Sequence, residues 1–158
     1  MKVYKIESVQ YINASVEDCW DFFSSPKNLQ TITPKDMSFV IEDFDGKRMY
    51  PGQIITYTLK PLFGIKINWV TIITVSKEND YFIDEQRFGP YSLWHHKHFF
   101  EASGNGTKMT DIVHYALPFG YLGRLMNILI VKNKLKTIFD HRYQIIDGIF
   151  SAKKTASL

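Results

Sequence analysis

Apolar and polar residues alternate from Val3 to Ile12, with Tyr4, Ile6, Ser8, Gln10 and Ile12 on one side, which predicts a first β-strand. The period then lengthens. Ser15 ahead of Val16-Glu17-Asp18 is N-cap chemistry with acidic residues in the first turn, and Trp20, Phe22 and Phe23 supply the apolar face of a short helix. Ser24-Ser25-Pro26 ends that helix, because a residue before proline is driven out of α geometry. Pro26 to Ile32 reads as a second short helix, with proline in its first turn and Pro34 beyond its end.

Alternation returns from Met37 to Leu117, broken by turn signals at Asp45-Gly46, Pro51-Gly52, Phe63-Gly64, Glu78-Asn79-Asp80, Gly89-Pro90 and Gly104-Asn105-Gly106. Parallel strands need a crossover of about a dozen residues, so these short connections predict an antiparallel meander of six strands. Its clearest member is Ile65 to Val75, with Ile65, Ile67, Trp69, Thr71, Ile73 and Val75 on one face. After Leu117-Pro118-Phe119-Gly120 the period becomes helical and stays so to about Phe150. Leu122, Leu125, Met126, Leu129, Leu135, Ile138, Phe139, Ile145, Ile146 and Ile149 form the apolar stripe. A helix of nearly thirty residues is ~40 Å long, enough to cross a sheet. A long meander must bend to hide its apolar face, and the last helix is the element available to fill the concavity. The expected fold is therefore α+β and helix-grip: a curved antiparallel sheet of about seven strands around one long C-terminal helix, with two short helices after the first strand. Incomplete closure would leave a pocket between sheet and helix.

Composition sharpens this picture in one respect. The 12 Phe, 9 Tyr and 3 Trp make up 15% of the 158 residues, and such rigid, bulky side chains suit a cavity wall as well as a filled core. The length predicts a single domain spanning 1–158. The net charge of +3 is scattered rather than gathered into a basic face, which argues against nucleic acid as a partner. One cysteine, Cys19, and an N-terminus without an apolar signal core predict a cytoplasmic protein with no disulfide framework. Tyr121 to Val131, the most apolar stretch, is interrupted by Arg124 and falls short of the ~20 residues that span a bilayer. The tail after Phe150 reads as frayed.

Candidate chemistry gathers at one hairpin. If Gly104-Asn105 form its turn, Ser103 faces Gly106, Glu101 faces Lys108, Phe100 faces Met109, His98 faces Asp111 and His96 faces Val113. Trp94, His96, His98 and Phe100 then share a face with Met109, Asp111, Val113 and Tyr115, while His95 and His114 point the other way. His98 and Asp111 read either as a buried, mutually satisfied pair, as a ligand anchor, or as an acid–base pair lacking a neighbouring nucleophile. His96, His98 and Asp111 also mimic a two-histidine, one-carboxylate metal site, although no metal is expected. Asp84 and Gln86 are expected to hold the Gly89-Pro90 turn, or alternatively to supply polar recognition at the pocket mouth. Arg142, on the apolar side of the long helix, is expected to snorkel to the edge, or alternatively to meet an anionic ligand or Asp84. Cys19 reads as core.

Several motifs together resemble a known family. Pro26-Lys27-Asn28-Leu29, Ile32-Thr33-Pro34, Tyr50-Pro51-Gly52-Gln53-Ile54 with Tyr57, and Asp84-Glu85-Gln86 belong to this set. So do Gly89-Pro90-Tyr91, Trp94 with His96, His98 and Phe100, Leu117-Pro118-Phe119-Gly120 and Leu122-Gly123-Arg124. Over about Phe23 to Arg142 the chain resembles the START-related ligand-binding family called SRPBCC. That resemblance implies the birch-pollen-allergen type of fold, whose members bind lipids, steroids, polyketides and other apolar molecules. Relatives include carriers and aromatase-cyclases, some are labelled cell-division inhibitors, and some are fused to a nucleotide-binding domain. This chain has no strand-linked Gly-x-Gly-x-x-Gly, and no cofactor is expected. The function expected is binding of a small hydrophobic ligand. Trp69, Trp94, Phe100, Met109, Val113 and Tyr115 on the sheet and Met126, Leu129, Ile138 and Phe139 on the helix are the candidate walls, with His96, His98, Asp111 and Arg142 as polar contacts. The alternative is a cyclase or dehydratase using His98 and Asp111.

Overall fold

The alternating stretches form seven strands: β1 (Tyr4–Ile12), β2 (Val40–Asp43), β3 (Ile54–Leu59), β4 (Ile67–Lys77), β5 (Tyr81–Phe88), β6 (Leu93–Ser103) and β7 (Gly106–Ala116). The structure is a computed structural model and describes residues 1–156. All strands join one antiparallel sheet in the order β1-β7-β6-β5-β4-β3-β2. β1 and β2 are thus at opposite edges, so the chain between them must cross the sheet. It does so through α1 (Val16–Phe23) and α2 (Pro26–Ile32). The Ser15 hydroxyl accepts the Asp18 N–H at 3.1 Å, and Pro26 opens α2 as the sequence predicts.

One strand departs from its expected face. β4 begins at Ile67, which leaves Ile65 exposed in the preceding turn, and a register shift between Ile73 and Val75 turns Val75 outward. A bulge sets two residues against one and so breaks the period of two. Trp69, Thr71 and Ile73 remain buried on the inner face.

The C-terminal helical stretch is also not one regular helix. α3 (Gly120–Met126) passes through a π turn, Asn127–Val131, into α4 (Lys132–Ala156). Buried positions Gly123, Asn127, Val131 and Leu135 are spaced by four, and the wider turn absorbs the drift that an α-helix of ~3.6 residues per turn would accumulate. Asn127 is held there because its Oδ1 accepts the Tyr115 hydroxyl at 2.8 Å. The expected stripe is therefore wrong at its start: Leu125 and Leu129 are 51% and 60% exposed. α4 continues past Phe150, where fraying was expected; Ser157 and Leu158 lie outside the described residues. Among the described residues no helix is long and apolar enough to cross a membrane.

The core closes most completely where α1 meets the sheet. Cys19, Trp20 and Phe23 pack with Phe82, Phe100 and Met109 and with Ile146 and Phe150 of α4. Val113 and Tyr115 of β7 pack against Val131 and Leu135. Gly123 sets how near α3 comes to the preceding loop, because a Cβ there would lie 2.1 Å from the Pro118 carbonyl oxygen. Helix propensity alone would make Gly123→Ala stabilising by ~1 kcal/mol. The close approach reverses the sign, and thermal denaturation should show a loss of about 1–3 kcal/mol. A gain in stability would mean that α3 does not dock on Pro118.

Candidate ligand-binding site

Gly104-Asn105 form the β6–β7 turn, and every facing pair follows the register read from the sequence, from Ser103 opposite Gly106 to His96 opposite Val113. Lys108 and Glu101 meet at 3.0 Å on the outer face. On the inner face, β5 places Asp84 opposite His96, and α4 lowers Arg142 onto the same spot. Gln86 secures the Gly89-Pro90 turn by two bonds to Tyr91, its Nε2 donating to the carbonyl at 2.7 Å and its Oε1 accepting the N–H at 3.1 Å. Asp84 takes no part in that turn and belongs to the histidine cluster instead.

Five ionisable side chains from three strands and a helix converge. His98 Nε2 lies 2.9 Å from Asp84 Oδ2 in an aligned hydrogen bond. His98 Nδ1 approaches Asp111 Oδ1 to 2.6 Å, but off the hydrogen-bond direction, so the pair read from the register is an ion-pair contact. His96 Nε2 is 3.3 Å from the same oxygen, and its Nδ1 is 3.6 Å from Asp84 Oδ2. Arg142 Nη2 stands 3.6 Å from Asp111 Oδ2. Relative exposure is 4% for His98, 6% for His96, 7% for Asp111 and 9% for Arg142, so Arg142 does not snorkel to the edge. His98 stacks on Phe82 at 4.1 Å between ring centres, and the Arg142 guanidinium lies over Phe23 at 5.5 Å.

The charges set one another. Burial favours a neutral Asp111, but Arg142 and the two histidines outweigh it and hold the pKa well below the ordinary carboxylate value. Asp84 is lowered as well: burial opposes, while the His98 hydrogen bond and the His96, His98 and Arg142 charges prevail. The two histidines move apart. Burial disfavours a charged His98, yet the carboxylates of Asp111 and Asp84 raise its pKa; for His96, burial and the charge on His98 win and lower it. Around pH 6.5 the dominant state therefore has both carboxylates ionised, Arg142 and His98 positive and His96 neutral, so the cluster carries no net charge there.

Beside the cluster lies a cavity of about 400 Å³, walled mostly by apolar side chains from α2, β3, β4, β5, β6 and the long helix. Exposed Phe119 and Leu122 mark its opening. The Tyr57 hydroxyl and Trp69 Nε1 meet Thr71 Oγ1 at 3.0 and 3.1 Å, which satisfies the polar atoms of that wall internally. Burial drives the pKa values of Tyr57 and Tyr91 upward, so both remain neutral.

No family model matches the chain, and no curated protein matches it. Solved structures do. TTHA0849 from Thermus thermophilus aligns with a TM-score of 0.74 at 14% identity, over 95% of this chain and 99% of that one. Major latex-like protein 151 from Panax ginseng gives 0.68 at 12%, over 94% and 97%. The di-domain ARO/CYC StfQ from the steffimycin biosynthetic pathway gives 0.72 at 12%, over 97% of this chain and 52% of that one. The chain has the SRPBCC fold.

Within this SRPBCC fold the sequence-predicted residues separate into two groups. Trp69, Trp94, His96, His98, Met126, Ile138, Phe139 and Arg142 line the cavity. Phe100, Met109, Asp111, Val113, Tyr115 and Leu129 lie outside its lining. Trp20 and Phe23 of α1 cover Phe100, with ring centres at 5.9 and 5.5 Å, and Met109 is in the same cluster. Val113 and Tyr115 are sealed by the helix, Asp111 sits in contact with His98, His96 and Arg142, and the π turn leaves Leu129 outside. Asp84, read from the sequence as a turn residue or alternatively as polar recognition at the pocket mouth, lines the cavity, while sequence reasoning missed Tyr57, Thr71, Tyr91 and Leu135 as site residues, and also Leu29 and Ile32 of α2. The alternation Ile55, Tyr57, Leu59 carried a signal for one of these walls, and the i, i+3 spacing of Leu29 and Ile32 for another.

Donor atoms of Asp84, His96 and His98 come within 4.8 Å of one another, which exchanges one carboxylate of the metal-like set read from the sequence. Both His98 ring nitrogens face carboxylates and Arg142 stands beside Asp111, so a cation would have to break the first arrangement and meet the second.

Removing one partner of this cluster strands the others. Asp111→Leu should cost roughly 3–5 kcal/mol in chemical denaturation, and His98→Leu on top of it should recover part of that loss. Additive effects would mean that the two side chains do not interact. The pH dependence has a definite sign. Stability from the raised His98 is complete below the ordinary histidine value of 6.5 and is lost as pH rises through the folded value. His96, lowered, acts oppositely, and its contribution is lost as pH falls below 6.5. The stability difference between wild type and His98→Gln should therefore shrink as pH is raised above 6.5. A difference independent of pH would show that His98 is not charged in the folded protein.

Proposed function

We propose that the protein binds a small, predominantly apolar molecule in the cavity between its sheet and its long helix. The observation that carries this reading is the cavity, whose volume of about 400 Å³ falls within the ~300–1,000 Å³ usual for ligand pockets. An apolar void forgoes about 24 cal/mol per Å³ of packing, so one this large would sacrifice roughly 10 kcal/mol if nothing occupied it. That is comparable to the whole stability of a domain, ~5–15 kcal/mol. A purely structural protein would gain by filling the space with its own aromatic side chains. The ginseng latex-like protein and StfQ share this fold, which supports a lipid, a polyketide or another apolar metabolite as the ligand class.

One observation favours a second reading, an enzyme of cyclase or dehydratase type. The group suited to general base chemistry is His96 rather than the His98 and Asp111 pair. His96 lines the cavity, is held neutral, and has no aligned hydrogen bond at Nε2 among the described residues. His98 has carboxylates at both nitrogens, and Asp111 does not reach the cavity.

Titration with an environment-sensitive apolar dye should saturate at one dye per chain. Ile138→Trp, which fills the cavity from the helix side, should weaken uptake by at least about tenfold, ~1.4 kcal/mol, in a protein that still melts cooperatively. Absence of saturable binding across a panel of dyes, lipids and steroids would overturn the proposal.

A further inference from the structure

Arg142 is nine-tenths buried and lines the cavity. A guanidinium carries five N–H donors in one plane. Its contact with Asp111, at 3.6 Å, is longer than a hydrogen bond, and Nε has no partner among the described residues. The guanidinium also lies over the ring of Phe23, 5.5 Å from its centre, a contact that stabilises the charge without using any N–H donor. Leaving buried donors of a charged group unmet is expensive, and the acceptor that matches them best is a planar carboxylate bound through two oxygens. His96 lines the same cavity, and its buried Nε2 is likewise without an aligned partner among the described residues. The rest of the wall is mostly apolar, with Ile55, Leu59, Ile73 and Trp69 among its members; its other charged residues already have partners, Asp84 with His98 at 2.9 Å and Lys134 with Asp36 at 3.0 Å.

We infer that the pocket takes an amphipathic carboxylic acid head first, with its carboxylate on Arg142 and its apolar body along the aromatic wall. Binding then draws one proton from solvent onto His96. The reason is charge. Asp84 from β5 and Asp111 from β7 balance Arg142 from α4 and the protonated His98 of β6, so an incoming carboxylate leaves the buried cluster one negative charge in excess. His96 stands 3.6 Å from Asp84, 3.3 Å from Asp111 and, between ring centres, 3.7 Å from His98, and its pKa is lowered in the free protein. Both carboxylates are held ionised by their cationic neighbours, so His96 is the member that an added negative charge protonates first. Its protonation restores neutrality, and the affinity for the acid must rise as pH falls, by at most about tenfold per unit. The inference rests on the cavity being the binding site and names the chemistry of what enters it.

Isothermal titration of the full chain with dodecanoate and with dodecanol, near neutral pH and in two buffers of different ionisation enthalpy, tests it. Dodecanoate should bind at least about tenfold tighter than dodecanol and take up close to one proton per molecule bound, while dodecanol takes up none. His96→Gln should abolish the proton uptake and weaken dodecanoate binding, and Arg142→Gln should erase the preference for the acid. Should Arg142→Gln fail to fold, the wild-type proton count and the acid-to-alcohol ratio decide the matter. Equal affinities, or acid binding without proton uptake, overturn the inference and leave the pocket as a binding site. If neither compound binds while a steroid or polyaromatic probe does, the inference again falls alone. If no probe binds, the reading of the cavity as a ligand site falls with it.

Discussion

A seven-stranded sheet with strands ~4.8 Å apart is about 30 Å wide, whereas a helix with its side chains is ~10–12 Å across. One helix laid on the inner face covers about a third of it, and everything else in this molecule answers that mismatch. The sheet curls, and the segment joining its two edges passes over the concavity as α1 and α2. Trp20 and Phe23 of α1 complete the core against Phe100 and Phe82. On the α2 side the smaller helix leaves a gap, lined by Leu29, Ile32, Ile55 and Tyr57, and this gap is the cavity.

The polar cluster stands where the filled and unfilled parts of the core meet. His98 stacks on Phe82, which also packs into the closed core, while His98, His96 and Arg142 all border the cavity. Five ionisable groups in so dry a place are tolerated because their charges cancel and because each contact is shared by several partners. The same arrangement couples β5, β6 and β7 to α4 through a single buried point. An apolar interface alone would let the helix slide along the sheet, since hydrophobic contact has no preferred direction. The Asp111–Arg142 contact and the Tyr115–Asn127 hydrogen bond each single out one position for it.

Much of the architecture was legible in the chain because it is local. A two-residue turn at Gly104-Asn105 determines which residues face one another along β6 and β7, and a slip by one would have turned every side chain over. Ser15, Pro26 and Pro34 bound the two short helices through chemistry that acts over three or four residues. Short connections exclude parallel strands. Periodicity therefore carried the strand order of the meander, the inner face of the hairpin and the presence of a long helix. It also brought His96, His98 and Asp111 to one face.

Tertiary structure decided what periodicity could not. Whether Phe100 and Val113 line a cavity or are sealed beneath a helix depends on where α1 and α4 come to rest, and no alternation along β6 or β7 encodes that. The π turn at Asn127–Val131 is a response to packing: four-residue spacing against β7 and a buried Asn127 bound by Tyr115 turn Leu129 outward despite its apolar side chain. Asp84 joined the histidines instead of the nearby turn because β5 pairs with β6 across the inner face, a contact between residues that the turn itself does not bring together. Arg142 remained inside because a carboxylate from a strand thirty-one positions earlier in the chain awaited it. The sequence determined its elements and their faces through short-range chemistry. The position of the cavity, the partners of the buried charges and the side chains left open to a ligand arise only when those faces are pressed together, since burial and ion pairing are properties of the assembled whole.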